Sequence, residues 1–169
     1  MKTVFQGKKF TIKQGEKPGE VTERAERSPS VGIIPITKQN NIILIREYRP
    51  ERGTNAIGLI AGSADKSSNI KKEAARELAE EAKLKAKKLK LFYTNKQGVS
   101  YEHKWCCFVA TGLSKINAQH DDDEIIEPFE CTLDEACEYA LSDNFRNETQ
   151  AYALLKLRHD LQTGKFKLP

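Results

Sequence analysis

The sequence predicts one domain of the α+β class, or an α/β/α sandwich. A chain of 169 residues is long enough to bury a core, and 38% hydrophobic with 31% charged residues is typical of globular proteins. Apolar runs rich in β-branched residues dominate the first third of the chain, whereas one helical pattern lies early and two lie late. This order favours β-strands layered between helices.

Strand patterns occupy the first part of the chain. Residues 31–37 and 42–48 are apolar and rich in β-branched side chains. The polar residues 38–41 between them complete the pattern of a β-hairpin. Residues 57–61 form a further short apolar run. Upstream, residues 4–13 show some alternation of apolar and polar side chains, which predicts a short hairpin or an edge strand.

A helix is predicted over residues 69–82. Turn-forming residues precede it, and Ser68 is a suitable N-cap. Within the segment an apolar residue recurs every four positions, which gives a narrow stripe that should face the core. The stripe consists of Ile70, Ala74, Leu78 and Ala82.

The second half of the chain predicts three more strands and two helices. Thr132 followed by Glu135 is a capping box that opens the first of these helices. The second helix is predicted from an amphipathic pattern. The strands are expected at 89–94, 104–111 and 125–131, and the helices at 132–141 and 148–161.

The charge balance argues against a nucleic-acid binder. The chain has 28 basic and 24 acidic residues, a net charge of only +4, and the basic residues are spread along it. No apolar run approaches the roughly 20 residues that span a bilayer. The first twenty residues also lack the apolar core of a signal peptide. We therefore expect a cytoplasmic protein that does not cross a membrane.

The four cysteines predict reduced thiols and no zinc site. None has C-x-x-C spacing, and the three histidines are scattered along the chain. Cys106 and Cys107 are adjacent in a predicted strand, so their side chains should point to opposite faces of the sheet.

The segment 74–84, AARELAEEAKL, concentrates charge on the predicted helix. Glu77 and Glu81 are one helical turn apart and point the same way, Glu80 lies beside them, and Arg76 can reach Glu80. Like charges at this spacing repel each other. The cluster is therefore either a solvated helix face or a site for a hard divalent cation, which prefers carboxylate oxygens. The segment alone leaves both interpretations open.

The context of this segment resembles the Nudix hydrolases. Their box reads G-x5-E-x7-R-E-U-x-E-E-x-G-U, where U is aliphatic, and here Gly62 precedes Arg76 by fourteen residues. The R-E-U-x-E-E half matches in full. Two positions depart from the box: the early Glu is Ser68 and the late Gly is Lys83. Because Lys is disfavoured at positive φ, Lys83 predicts a different turn at the end of the helix.

The resemblance extends to the ADP-ribose pyrophosphatase branch and covers nearly the whole chain. Residues 47–50, EYRP, resemble the Q-Y-R-P of that branch, and residues 59–62, LIAG, resemble its L-P-A-G. Gly58 stands where members often carry an acid. The likeness implies a Nudix fold, an α/β/α sandwich with a mixed β-sheet. It also implies a catalytic domain at 31–169, preceded by strands at 1–30 that exchange across a homodimer.

The resemblance also implies a metal site for Mg²⁺ or Mn²⁺. Glu77 and Glu81 would be direct ligands, Glu80 would share or bridge, and the carbonyl of Ala61 would complete the site. Arg76 would orient the carboxylates. The bound ions would make water attack a pyrophosphate bond.

Further roles follow from the same likeness. Glu124, with Asp122 as second candidate, would be the base that activates water. Arg49 would contact a phosphate or ribose of the substrate, and Glu102 matches an acid near the substrate in that branch. Trp105 could stack on a base, although a place in the core is the simpler interpretation.

The implied function is hydrolysis of a nucleoside diphosphate derivative, with ADP-ribose or a nucleotide sugar as substrate. The products would be a nucleoside monophosphate and a phosphorylated moiety. One alternative is a nucleotide-binding sensor that has lost turnover, which the departures at Gly58, Ser68 and Lys83 favour. Another is an RNA-processing Nudix enzyme, for which the lysine-rich runs offer weak support.

Overall fold

The computed structural model describes residues 1–49, 53–64, 69–95, 98–117 and 125–169, without the side chain of Lys17. These residues form eleven strands and three helices. The strands are β1 (Lys2–Gln6), β2 (Phe10–Lys17), β3 (Glu20–Arg27), β4 (Ser30–Pro35), β5 (Ile42–Arg49), β6 (Thr54–Gly58), β7 (Ile60–Ser63), β8 (Leu84–Thr94), β9 (Tyr101–Glu102), β10 (Trp105–Lys115) and β11 (Ile126–Cys131). The helices are α1 (Ile70–Ala82), α2 (Leu133–Ala140) and α3 (Glu148–Gln162).

The strands form three sheets in the described residues. The central sheet has the order β7-β4-β10-β8 and is mixed, because β4 and β10 run parallel while the other pairs are antiparallel. A second sheet, β11-β5-β6, is antiparallel. The third sheet, β1-β2-β3-β9, which we call the amino-terminal sheet, joins three strands from the start of the chain to the short strand β9. The sequence predicted only a hairpin or edge strand at 4–13 in this region.

Two apolar clusters make the core, one on each side of the central sheet. One includes Val31 and Ala74 and joins the sheet to α1. The other includes Ile34 and Leu154 and joins it to α3. Adjacent residues of one strand therefore belong to different clusters, and Cys106 and Cys107 do so as predicted. The α/β/α sandwich with a mixed sheet is confirmed.

The predicted hairpin of 31–37 with 42–48 is wrong in its pairing. Both segments are strands, but a single bridge between Ile36 and Ile42 joins them. From there β4 pairs with β7 and β10, whereas β5 pairs with β6 and β11. Both strands are too apolar to leave a long edge in water, so each lies in the middle of its own sheet.

The predicted strand at 57–61 is divided at Leu59. Residues before it belong to β6 and residues after it to β7, in different sheets. The backbone N–H of Leu59 donates to Oε1 of Gln150 at 2.9 Å instead of to a neighbouring strand. Two further strands are longer than predicted, since β8 begins at Leu84 and β10 extends to Lys115.

The predicted helices are confirmed, and their caps show one correction. The N-cap of α1 is Asn69, whose side chain accepts from the backbone N–H groups of Lys71 and Lys72. The predicted cap at Ser68 is therefore wrong; Ser68 itself lies outside the described residues. The capping box of Thr132 and Glu135 is present. None of the helices in the described ranges is long and apolar enough to cross a bilayer.

The end of α1 contradicts the prediction for Lys83. This residue adopts the left-handed conformation, with φ 55° and ψ 37°, that glycine usually supplies. Its N–H donates to the carbonyl of Ala79 at 3.1 Å, and its own carbonyl accepts from Ile116 N at 3.0 Å. The chain must reverse at once, because the buried Leu84 already begins β8. Tertiary pairing thus outweighs the steric preference of lysine.

Candidate active site

A cleft of about 680 Å³ lies where the amino-terminal sheet, α1 and the segment between α2 and α3 meet. Ligand clefts of small molecules fall in this range of volume. Among the described residues, its lining combines the acidic side chains of α1 with several cations. The acids are Glu77, Glu80 and Glu81, and the cations are Lys9, Arg27, Arg49, Arg76 and Arg146.

The carboxylates of α1 are held by the helix itself. Leu78 and Ala74 face the core. Helical periodicity places Glu77 and Glu81 beside them, at the edge of the buried face of α1. These two residues are only 7% and 6% exposed, whereas Glu80 is half-buried. Buried carboxylates one turn apart are unfavourable unless something cationic compensates them. The interpretation of Glu77 and Glu81 as part of a solvated helix face is therefore excluded.

Gly62 is required by the position of Glu77. A Cβ atom at residue 62 would lie 1.9 Å from Oε1 of Glu77 and 2.0 Å from its Cδ. Only glycine lets β7 pass so close to the carboxylate. The spacing between Gly62 and Glu77 in the sequence thus corresponds to a direct contact in the fold.

Glu81 is fixed to the same strand. Its Oε2 accepts from the backbone N–H of Ala61 at 2.9 Å. Burial raises the pKa of Glu81 to about 8. The hydrogen bond from Ala61 and the charge of Arg146 act in the opposite direction, while the carboxylates of Glu77 and Glu47 add to the rise.

Arg76 joins the carboxylates to one another. Its Nε donates to Glu73 at 3.1 Å, and its two terminal nitrogens donate to Glu77 and Glu80. These contacts suit the predicted role of orienting the carboxylates. Glu73, one turn before Glu77, is an additional member of the cluster that the sequence pattern also contains.

The donor chemistry of this cluster fits a hard divalent cation, since Mg²⁺ and Mn²⁺ prefer carboxylate and carbonyl oxygens. Within the described residues, no three Asp, Glu, His or Cys side chains are already grouped around one point. Arg76 instead bonds to Glu77 and Glu80. A bound cation would therefore share the carboxylates with Arg76 or displace its bonds.

The cleft is also bordered by an ionic group of which the sequence predicted only Arg49, and which we call the arginine wall: Glu47, Arg49 and Arg146. Oε2 of Glu47 accepts from Arg49 at 2.7 Å and from Arg146 at 2.9 Å. Glu47 is 5% exposed. The signal available in the sequence was a single acid inside the apolar strand β5, and nothing marked Arg146.

The remaining predicted residues have four different outcomes. Arg49 lines the cleft, as expected for a substrate contact. Glu102 does not belong to the described lining; it bonds to Arg24 at 3.1 Å within the amino-terminal sheet. Trp105 is buried, and its ring would collide with any Cβ at Gly32, so it belongs to the core while its edge reaches the cleft. Glu124 and Asp122 lie outside the described residues.

A further pair in the lining was not predicted. Ser30 Oγ and His103 Nε2 are 2.8 Å apart. Burial and the nearby charge of Arg27 lower the pKa of His103, which favours the neutral form of its imidazole. The pair adds neutral hydrogen-bonding groups beside the cations of the cleft.

The family model described as NUDIX domain matches residues 26–155. The chain belongs to the Nudix family. The methanol dehydrogenase activator of Bacillus methanolicus is 31% identical over 147 residues, covering 80% of this chain and 78% of that protein. The ADP-ribose pyrophosphatase of Bacillus subtilis (strain 168) is 29% identical over 174 aligned positions, covering 96% and 93%.

The fold leads to the same family. A crystal structure of an ADP compounds hydrolase superposes with a TM-score of 0.79 at 25% identity, covering 96% of this chain and 92% of that one. Together with the family match, these relatives identify the chain as a Nudix pyrophosphohydrolase. The superposition covers more of the chain than residues 26–155, which the family model matches.

Proposed function

We propose that this Nudix pyrophosphohydrolase hydrolyses the pyrophosphate bond of a nucleoside diphosphate derivative, with ADP-ribose as the first candidate and nucleotide sugars as the second. The products are a nucleoside monophosphate and a phosphorylated moiety. The observation that carries the proposal is one cleft in which buried carboxylates face arginines. The relatives named for ADP-ribose and ADP compounds support the choice of substrate.

In this proposal Glu77, Glu80, Glu81 and the carbonyl of Ala61 hold Mg²⁺ or Mn²⁺. The metal supplies charge neutralisation at the phosphate oxygens and lowers the pKa of water. Arg76 keeps the carboxylates in place through its three bonds along α1. Glu77 and Glu81 are themselves largely shielded from bulk water.

In this proposal the cations of the cleft bind the substrate. Arg49 contacts a phosphate or the ribose, because a planar guanidinium binds phosphate through two parallel hydrogen bonds. Lys9 and Arg27, which the amino-terminal sheet brings to the cleft, add positive charge near the same anion. Glu102 pairs with Arg24 and is not among the described lining residues, so its contact with the substrate stays a prediction.

We further propose a homodimer that forms through the amino-terminal sheet. Several apolar side chains of this sheet are exposed, among them Phe5, Val21 and Phe10. Large exposed apolar side chains on one sheet favour a surface that another chain covers.

A substrate panel tests the proposed function. ADP-ribose, nucleotide sugars, dinucleotides and capped RNA are incubated with Mg²⁺ or Mn²⁺, with excess chelator as control, and the products are separated by chromatography. We expect metal-dependent release of AMP from ADP-ribose. Tight binding of ADP-ribose without turnover of any compound would instead identify a sensor, and selective turnover of capped RNA would identify an RNA-processing enzyme.

The base is assigned by a pair of variants in the acidic segment. We expect Glu124→Gln to lower kcat by roughly 10²–10⁴-fold, the usual contribution of a general base, with little change in substrate affinity. Asp122→Asn should lower kcat by a smaller factor. If Asp122→Asn is inactive while Glu124→Gln behaves like wild type, the base is Asp122.

A further inference from the structure

We propose that Arg146 is a substrate-binding residue that contacts the anionic pyrophosphate group, and that Glu47 and Gly58 hold it in position. The nature of the ligand rests on the proposed function. The place of Arg146 rests on the structure alone, since this residue lies between α2 and α3 and belongs to no motif in the sequence.

In the arginine wall the carboxylate is buried, and the two arginines line the cleft. Arg49 and Arg146 line the cleft, whereas Glu47 is buried and does not belong to the described lining. One oxygen of Glu47 accepts from both arginines, at 2.7 and 2.9 Å. Two positive charges beside one negative charge leave the wall with a net charge of +1. A wall of this kind favours an anion in the cleft.

The backbone holds Arg146 firmly against β6. Its N–H donates to the carbonyl of Ile57 at 2.7 Å, and the N–H of Ile57 donates to Asn144 at 3.0 Å. Phe145 forms a bridge with Ile57 and is 7% exposed. The segment therefore extends the second sheet by a short piece. A guanidinium on such a rigid base is preorganised and loses little entropy when it binds.

Gly58 provides the space that Arg146 occupies. A Cβ at residue 58 would lie 3.0 Å from Cβ and 3.1 Å from Cδ of Arg146, and 2.7 Å from Oε1 of Gln150. That same Gln150 oxygen accepts from Leu59 N at the point where β6 ends. A side chain at residue 58 would thus displace Arg146, Gln150 or both. The departure from the family pattern at this position is coupled to the arrangement of Arg146.

Arg146 lines the same cleft as the carboxylates of α1, and its charge lowers the pKa of Glu81. Arg146 is therefore close to both the buried Glu47 and Glu81. A pyrophosphate group bound beside α1 would lie within the field of this guanidinium. Its planar fork matches phosphate oxygens better than an ammonium would.

The test compares Arg146→Met with Arg158→Met. Arg158 of α3 is the matched control. It pairs with Asp134 of α2 at 3.6 Å and does not belong to the described lining. For each protein we would measure kcat and KM with ADP-ribose and Mg²⁺, the Kd of inorganic pyrophosphate in excess chelator by calorimetry, and the thermal midpoint. We expect Arg146→Met to raise KM and Kd by roughly 10- to 100-fold, the range for a lost hydrogen bond to a charged group, with a smaller change in kcat.

The two readouts separate the proposals. If wild type turns over no substrate, the proposed function fails, but the pyrophosphate Kd still tests Arg146. If Arg146→Met lowers the thermal midpoint while KM and Kd remain those of wild type, Arg146 is only structural and the inference is overturned. Arg146→Lys, which keeps the charge but not the fork, should show an intermediate KM and provides a folded variant if Arg146→Met is unstable.

The positioning roles have their own tests. Gly58→Ala should raise KM in the same direction as Arg146→Met, because the methyl group takes the place of Arg146. Glu47→Gln should raise KM less, and it should raise KM by a smaller factor in the Arg146→Met background than in wild type. Additive effects of Glu47→Gln and Arg146→Met on KM would show that Glu47 does not act through Arg146.

Discussion

Glu81 is the residue on which the proposed metal site depends most, since it is buried between Ala61 of β7 and the other carboxylates of α1. We expect Glu81→Gln to lower metal-dependent turnover by at least about 100-fold, because residues that merely support a metal ligand already contribute about 10- to 100-fold. The amide keeps the size of the side chain and can still accept from Ala61 N. The thermal midpoint should therefore change little, which calorimetry would check alongside the kinetics.

Glu127→Gln is the control for this substitution. Glu127 is exposed and pairs with Arg46 at 3.6 Å on the surface of the second sheet. The same chemical change there should leave turnover as in wild type. Full turnover of Glu81→Gln, or full activity of wild type in excess chelator, would contradict the metal site.

Gly62 offers a second prediction at this scale. Alanine at residue 62 would place its methyl group within 2.4 Å of the Glu77 carboxylate, so either β7 or Glu77 must move. We expect a loss of roughly 1–3 kcal/mol in the free energy of unfolding, as for other overpacked sites, together with loss of most activity. Urea denaturation and steady-state kinetics would measure the two effects.

Gly98→Ala is the matched control for Gly62→Ala. Among the described residues, an added Cβ at residue 98 meets only the carbonyl oxygen of Tyr101, at 3.3 Å. If both variants unfold at the same urea concentration and retain activity, the close approach of β7 to Glu77 has no role in the site.

The sequence pointed to Glu77, Glu80 and Glu81, which the structure places in this cleft, because their spacing is local. Glu77 and Glu81 follow from helical periodicity, and their relation to Gly62 follows from the family box. Glu47 and Arg146 are separated by almost a hundred residues and meet only because the segment before α3 attaches to β6. No periodicity in the chain encodes that contact. Sequence patterns therefore pointed to the carboxylates of α1 and, through the family resemblance, to Arg49, but not to Glu47 or Arg146.

Among the elements, the end of α1 carries a specific prediction. Lys83 holds a left-handed conformation that costs an L-residue about 1–2 kcal/mol relative to glycine. Its Nζ is also buried without a hydrogen-bond partner in the described structure. We expect Lys83→Gly to raise the free energy of unfolding by about 1 kcal/mol, which corresponds to about 2–4 °C in the thermal midpoint for a chain of this size.

Lys85→Gly is the comparison for Lys83→Gly. Lys85 is exposed within β8 and pairs with Ser114, so glycine there should destabilise the strand. A lower midpoint for Lys83→Gly would mean that packing of the lysine stem outweighs the backbone strain.

The elements also show where sequence reasoning reaches its limit. The helices were predicted within one or two residues, because caps and apolar stripes are local signals. The strands were found, but the partners of β4 and β5 were not. Adjacent apolar runs with a polar turn are compatible with a hairpin and with two strands that diverge into separate sheets. The choice depends on burial by distant segments such as β10, which the local pattern does not contain.

On the scale of the whole molecule, the cleft is assembled from parts that lie far apart in the sequence. The amino-terminal sheet contributes Lys9 and Arg27, α1 contributes the carboxylates, and the segment before α3 contributes Arg146. The amino-terminal sheet is thus part of the site and not only a flanking element. Several of its apolar side chains, among them Phe5, Phe10 and Val21, are exposed within one chain.

The homodimer is the prediction that belongs to this scale. All five residues of β1 are exposed, and Phe5 is 57% exposed. We expect wild type to show about twice the 19.1 kDa mass of one chain in light scattering. Phe5→Asp should shift this value to the mass of one chain, because a carboxylate in an apolar interface is costly.

Leu91→Asp is the control, since Leu91 is similarly exposed on β8 in the central sheet. If the amino-terminal sheet forms the interface, Leu91→Asp stays dimeric. A wild-type protein with the mass of one chain would contradict the dimer. A dimer that persists in Phe5→Asp but dissociates in Leu91→Asp would place the interface on the central sheet.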